Sequence, residues 1–282
     1  MIDEYTFSNN EMMRQKMRQI LSFRKTQKGM VYFEGRFSDF ESAEKVCFGK
    51  GYEDDKIFVK VKKSAMAVKE GKACYERDGY LFYEKDYYLQ LLAILYEVFL
   101  QYGELNVIDF GGSLGSTYFQ NKDKLIKNID KIEWNIVEQK HFVEWGKKVL
   151  EDNILKFYYN VNEVEKCNCV VFGGSLQYLE NYKAILMQIV DKGVPYIVVD
   201  RVPVSNESWV SVEYVHEPIY EAVYPLYIMD EAALIKQFRD LGYVLDQKWM
   251  KEKDEVWQIE NKVIKQKSFL FVKEEKKNAD NA

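Results

Sequence analysis

The rhythm of apolar and polar positions changes near Gly103. Before it the spacing is helical, and residues 1–103 predict an N-terminal helical extension. Met12 to Lys25 is amphipathic, and Ile57, Val61, Ala65 and Val68 recur on one helical face that Gly71 stops. In "SDFESAEKVC", Ser38 and Glu41 stand at the spacing of a capping box, in which the serine bonds an orphan amide. "DYYLQLLAILYEVFLQYG" predicts a strongly apolar helix ended by Gly103.

After Gly103 short apolar runs alternate with amphipathic ones. "LNVIDF" predicts a buried strand with a helix from about Gly115 to Lys127. "KIEWNIVE" and "KHFVEWGKKVLED" repeat the unit, and "LKFYYN" is a short third strand. "CNCVVFGG" with "LQYLENYKAILMQIVDKG" is the fourth strand and its helix, and "VPYIVVDR" is the fifth strand. The helix "DEAALIKQFRDLG" arrives only after a long connection, and strands around "GYVLDQKWM" and "KSFLFVKEE" close the chain. Such alternation predicts an α/β fold: a mostly parallel, seven-stranded sheet covered on both faces, with its ligands at the carboxyl ends of the strands. The last two strands have no helix between them and are expected to be antiparallel. The domain runs over 104–273, and the tail 274–282 is expected to be disordered. All four prolines fall at Pro195, Pro203, Pro218 and Pro225, so the connection 201–229 is expected to be a shaped insertion that carries function.

Composition narrows the class. The 282 residues are 47% hydrophobic and 30% charged, a globular balance with ample core. A formal net charge of −5 argues against a nucleic-acid partner. Cys47, Cys74, Cys167 and Cys169 form no C-x-x-C pair, and Cys167 and Cys169 are expected to share one face of a strand as buried thiols. His141 and His216 are the only histidines, too few for a histidine-built zinc site, and no metal is expected. The polar N-terminus lacks a secretory pattern and no run is long enough to span a membrane, so a cytoplasmic protein is expected.

The candidate chemistry lies in "VIDFGGSLGSTYF". An apolar run ends in Asp109, turns through Gly111, Gly112, Ser113 and Gly115, and continues as a helix. Three readings compete: a dinucleotide, a sulfonium cofactor, or no ligand. The dinucleotide pattern G-x-G-x-x-G fails in both registers, because Ser113 and Ser116, or Leu114 and Thr117, occupy the glycine positions. Asp109 would repel a pyrophosphate but attract the ammonium of S-adenosyl-L-methionine. Glu138, at the end of the next strand, suits ribose hydroxyls in either cofactor class. D-x-G-x-S-x-G resembles the D/E-x-G-x-G-x-G turn of class I S-adenosylmethionine-dependent methyltransferases.

More blocks fit a narrower family. "YERDGYLF", "WNIVEQKHFV", "VVFGGSLQYLENY", "YIVVDRVPVS" and "YPLYIMDEAALIKQF", with the glycine turn, resemble a methyltransferase family associated with bacterial polysaccharide and O-antigen gene clusters. The resemblance runs from about Gly35 to Trp249. It implies a Rossmann-like class I methyltransferase fold and S-adenosyl-L-methionine as cofactor. In that fold Gly173, Gly174 and Ser175 border the methyl-transfer centre. Asn160, after the short third strand, is a candidate to reach the adenine amino group, with an ordinary turn asparagine as the alternative. The expected activity is O-methylation of a saccharide or another small polar acceptor. His216 is then the candidate base, with Asp200 and Arg201 holding the acceptor beside Tyr220 and Tyr224. Tyr75, Glu76 and Arg77 are expected to form a lid or to fasten the extension to the sheet.

Three alternatives stand beside this. A non-catalytic S-adenosylmethionine-binding or regulatory protein would keep the turn without the chemistry. An NAD-dependent oxidoreductase is disfavoured by the failed glycine register. An amino-directed nucleic-acid methyltransferase would carry N/D-P-P-Y/F where this chain reads "FGGSLQY".

Overall fold

The computed structural model describes residues 31–47, 55–250, 256–259 and 262–274. The amphipathic segment Met12 to Lys25 and the tail from residue 275 lie outside them. The first described element corrects the expectation of an all-helical extension. Val31–Phe37 is a strand, β1, with a register shift between Glu34 and Phe37 where Gly35 takes φ +79°. Such a bulge breaks the period-two pattern by which a strand is recognised. A short helix α1 (Phe40–Glu44) follows, capped by Asp39, whose carboxylate accepts from the Ser42 amide at 2.7 Å. Ser38 is therefore not the cap: its hydroxyl donates to Asp39 instead.

Helix α2 (Asp55–Lys69) buries Ile57, Val61, Ala65 and Val68, as the spacing predicts. Between it and the next helix the chain forms a hairpin of β2 (Tyr75–Arg77) and β3 (Tyr80–Phe82). Asp78 and Gly79 turn it, both at positive φ, the conformation that D-G dipeptides favour in hairpins. Helix α3 (Leu89–Tyr102) ends at Gly103, which at φ +68° returns its N–H to the Phe99 carbonyl.

The α/β units then follow: β4 (Leu105–Phe110), α4 (Ser116–Asn128), β5 (Ile132–Val137), α5 (Lys140–Val149), β6 (Leu155–Tyr158), β7 (Cys169–Gly173), α6 (Tyr182–Asp191) and β8 (Tyr196–Ser205). β5, β4, β7 and β8 pair in parallel in that order, and β6 extends the row beyond β5. After β8 come β9 (Trp209–Val215), β10 (Ala222–Asp230), α7 (Glu231–Asp240), β11 (Tyr243–Trp249), β12 (Val256–Ile259) and β13 (Lys262–Lys273). β13 lies antiparallel between β8 and β11. The central order is thus β6-β5-β4-β7-β8-β13-β11, a Rossmann-like class I methyltransferase fold with its one reversed strand next to the edge.

Alternation along the central strands separates two cores. Val107, Trp134, Ile136 and Val171 join the cluster that includes α2, α3, α4 and α5, whereas Ile108, Val137, Val170 and Phe172 join that of α6 and α7. Cys169 lies in β7 while Cys167 precedes the strand; burial pushes the Cys167 thiol up to about 12 and raises that of Cys169 as well.

The segment 201–229 also departs from expectation. It is a β extension of the sheet, in which β9 pairs antiparallel with both β10 and β1. β10 returns to β8 at Met229 and Val204. Pro203 and Pro225 lie inside strands rather than in a loop.

Packing of α5 on β6 gives a first prediction. A Cβ on Gly146 would stand 2.5 Å from the Phe157 ring. Gly146→Ala should therefore destabilise the protein by about 1–3 kcal/mol in chemical denaturation, although alanine is the better helix former by about 1 kcal/mol. A stabilised variant would show that α5 is not packed this closely.

Candidate functional site

Two glycine-bearing turns meet at the carboxyl ends of β4 and β7, and their contact shapes the site. A Cβ on Gly111 would stand 2.6 Å from Cβ of Ser175, and one on Gly112 would stand 2.6 Å from Cγ of Asp109. Gly111 also takes φ +68°, so both conformation and space require glycine there. Ser113 takes φ +54°, a left-handed position that leaves its amide free to face Glu138. Gly115, at φ +95°, caps α4, and Ser175 donates its hydroxyl to the Phe110 carbonyl.

These turns border a cavity of about 1220 Å³ that Asp109, Glu138, Gly173, Gly174, Arg201 and Glu213 help to line. Single small-molecule sites run to roughly 300–1,000 Å³, so there is room for two molecules side by side.

At one end lie two carboxylates. Asp109 is fully buried; the Trp134 indole N–H donates to its Oδ2 at 3.1 Å, and its Oδ1 has no partner. Burial pushes its pKa up to about 7 against the pull of that donor and of Arg201 and Arg77. Glu138 accepts from the Gln139 amide at 2.5 Å and from the Ser113 amide, yet burial also raises it to about 7. The site thus holds a buried oxygen in want of a donor on one side of the glycine turn and an acceptor carboxylate on the other.

Arg201 joins the two ends. It takes φ +54° at the point where β8 leaves the central sheet. Its guanidinium donates to the Gly173 carbonyl and lies 3.6 Å from Asp200. A Cβ on Gly174 would meet it at 3.2 Å. Asp200 is itself buried among donors, the Tyr88 hydroxyl at 2.5 Å and the Ser268 hydroxyl at 2.7 Å. Asp200 does not line the cavity; it orients Arg201.

The far end is built by the β extension and the hairpin. Tyr178 donates to Glu213 at 2.6 Å, its ring meets Tyr224 edge-on, and the Tyr220 and Tyr224 hydroxyls lie 3.5 Å apart. Arg77 and Asp78 of the hairpin reach the cavity, and Arg77 donates to Gln120 at 2.6 Å. Glu76, buried behind them, accepts from the Ser116 hydroxyl and the Gly79 amide, which fastens the hairpin to α4.

Of the sequence candidates, Asp109, Gly111, Gly112, Ser113, Glu138, Gly173, Gly174, Ser175, Arg201, Tyr220 and Tyr224 all border this one cavity. Two are corrected. His216 does not border it: its ring is buried, with Nδ1 2.8 Å from Glu221 and a face toward Tyr32. Asn160 is exposed and spends its side chain locally, accepting from the Asn162 amide and donating to Glu163. Gly115 serves the helix start rather than the cavity wall. Glu213 and Tyr178 were missed as candidates. Their signal is faint: a lone acid in the apolar run "WVSVEYV". Among the described residues no cluster of metal-ligating side chains occurs, and no helix is long and apolar enough to cross a membrane.

No protein-family model and no curated protein matches this sequence. Solved structures do align with it. The N-terminal domain of EvdMO1, crystallised in the presence of S-adenosylhomocysteine and D-fucose, aligns at 12% identity and TM-score 0.48, over 76% of this chain and 97% of that one. An S-adenosylmethionine-dependent methyltransferase from Clostridium acetobutylicum aligns at 9% identity and TM-score 0.41, over 76% and 98%. CalS10, an amino pentose methyltransferase from Micromonospora echinaspora solved with S-adenosylmethionine, aligns at 8% identity and TM-score 0.42, over 67% and 92%. The fold is assigned on this chain's own strand order.

The raised carboxyls predict a pH dependence. Asp109, Glu138, Glu76 and Glu213 all rise to about 7, against about 4 in an unfolded chain. The folded protein therefore binds more protons than the unfolded one between these values. The stability these four groups contribute is full below about pH 4 and is lost as pH rises through about 7. The thermal midpoint of the free protein should fall between about pH 5 and pH 8, and Asp109→Asn should flatten that fall. A midpoint that climbs over the interval would contradict the desolvated state of these groups.

Proposed function

We propose that this chain is an S-adenosyl-L-methionine-dependent methyltransferase that methylates a hydroxyl of a saccharide or a similar small polar acceptor. The observation that carries the reading is the pair of carboxylates at one end of the cavity. The unpartnered Oδ1 of Asp109 suits an ammonium, and Glu138 suits the two hydroxyls of a ribose. Asp109, beside the glycine turn, does not suit a pyrophosphate, whose charge it would repel, which disfavours a dinucleotide. The methionine sulfonium supplies an electrophilic methyl carbon when bound. The protein's part is to align the acceptor, exclude water and accept a proton.

The charge of the cavity bears on the acceptor. Six carboxyl residues line it (Glu44, Asp78, Asp109, Glu138, Glu180 and Glu213), against the two guanidiniums of Arg77 and Arg201. Both guanidiniums already bond protein oxygens, on Gln120 and Gly173. A phosphate-bearing acceptor would meet net repulsion, while tyrosine rings and hydroxyls suit an uncharged sugar ring. Arg201, oriented by Asp200, stands where cofactor and acceptor would adjoin.

Calorimetry tests the reading. S-adenosylhomocysteine should bind and NADH should not. Asp109→Ala and Glu138→Ala should each weaken S-adenosylhomocysteine by about 1.5–3 kcal/mol, roughly tenfold to a hundredfold. Affinities equal to that of the unmodified protein would overturn the placement of the cofactor, and tight NADH binding would favour the oxidoreductase instead.

A further inference from the structure

A hydroxyl acceptor must lose its proton as it is methylated, since its own pKa lies far above neutrality. Resting on the methyl-transfer reading, we propose that Glu213 is the group that takes this proton, with Tyr178 setting its basicity. Glu213 sits in the middle of β9, paired with Tyr224 on one side and Phe33 on the other. Its side chain is buried at 6% exposure, yet it lines the cavity. Among the described residues no ion pair reaches it, so it is not one half of a structural salt bridge. Its hydrogen-bond partner is the Tyr178 hydroxyl, at 2.6 Å.

The groups around it fit the role. Tyr178 approaches from the turn after β7, Tyr220 from the segment leading into β10, Tyr224 from β10 itself, and Asp78 from the hairpin. Glu76 bears on Tyr220 from behind, and Arg201 lies beyond Tyr178. The phenol rings give the carboxylate an apolar, hydroxyl-rimmed setting at the end of the cavity away from Asp109 and Glu138. Burial, with the Asp78 charge, lifts Glu213 to about 7, while Tyr178 donating to the ionised form draws it down. A base near neutrality is both available and strong enough to accept a proton.

In the step itself the acceptor oxygen bonds to the methyl carbon. The carbon–sulfur bond breaks with its electron pair left on sulfur, and the hydroxyl proton passes to a Glu213 oxygen. Glu213 then returns the proton to water. His216, outside the cavity and paired with Glu221, takes no part.

The test uses the full chain saturated with S-adenosylhomocysteine. Infrared difference titration should reveal a carboxyl group ionising close to neutrality that is absent from Glu213→Gln. In Tyr178→Phe the same band should titrate at higher pH, because a donor to the ionised form is gone. If no carboxyl signal between about pH 5 and pH 9 is lost in Glu213→Gln, the assignment is overturned. Methyl transfer from labelled S-adenosylmethionine to methyl α-D-glucopyranoside and methyl α-D-galactopyranoside gives a second reading. Where turnover occurs, Glu213→Gln should lower kcat by about a hundredfold or more with KM for S-adenosylmethionine unchanged. Tyr178→Phe should move the acid limb of the pH profile upward, and His216→Ala should keep its turnover. A Glu213→Gln protein with normal kcat overturns the proposal, and where neither glycoside is methylated the titration alone decides. S-adenosylhomocysteine affinity separates the two levels. An unmodified protein that fails to bind it defeats the methyl-transfer reading, whereas normal binding with a silent Glu213 defeats only this assignment.

Discussion

The close contact of two turns, at the carboxyl ends of β4 and β7, sets the geometry of everything else in the cavity. Gly112 leaves the space that the Asp109 carboxylate fills, and Gly111 leaves the space that Ser175 fills. With the turns interlocked, Asp109 is sealed from bulk water while one oxygen stays without a donor. The same backbone path presents the Ser113 amide to Glu138 and the Gly173 carbonyl to Arg201. A side chain in place of Gly112 would displace the Asp109 carboxylate, and one in place of Gly111 would displace Ser175, which is why the constraint reaches so far.

Burial here works on ionisation as much as on packing. Carboxyls removed from water and left without a full complement of donors hold their protons toward neutrality. Asp109 and Glu138 at one end and Glu213 at the other share this state for the same cause. Between them Arg201 is fixed by Asp200, which is fixed in turn by Tyr88 and Ser268 from α3 and β13. The Trp249 indole N–H donates to that Tyr88 hydroxyl at 3.0 Å, so the last strands of the chain help to hold the middle of the site.

The far wall stands on strands rather than on a loop. β8 continues past the central sheet, β9 and β10 fold back, and β1 closes the edge against β9. Side chains on paired strands hold their positions more closely than those on loops. Glu213 and Tyr224 face the cavity from cross-strand positions whose register is set by the pairing of β9 with β10.

What the sequence by itself determined was local. The strand at 105–110, the helix ended by Gly103, the antiparallel closing pair, and Asp109 and Glu138 at successive strand ends follow from hydrophobic period, glycine conformation and strand–helix alternation. Each depends on neighbours within a few residues or on the next unit of a repeating pattern. The D-G pair at Asp78 and Gly79 is an equally local hairpin signal, within a stretch whose flanking patterns are helical. What only the tertiary structure decided was long-range. β1 is bulged at Gly35 and becomes a strand by pairing with residues some 175 positions away, from Glu34 to Ser211. Pro203 and Pro225 suggested a loop because proline lacks an N–H, yet both sit in strands that receive their pairing partners from elsewhere in the chain. His216 drew attention as a rare titratable residue, whereas Glu213, three residues earlier and inside β9, is the lone acid of an apolar run. Which of them meets the cavity depends on how β9 lies against β1 and β10, and no local period encodes that contact.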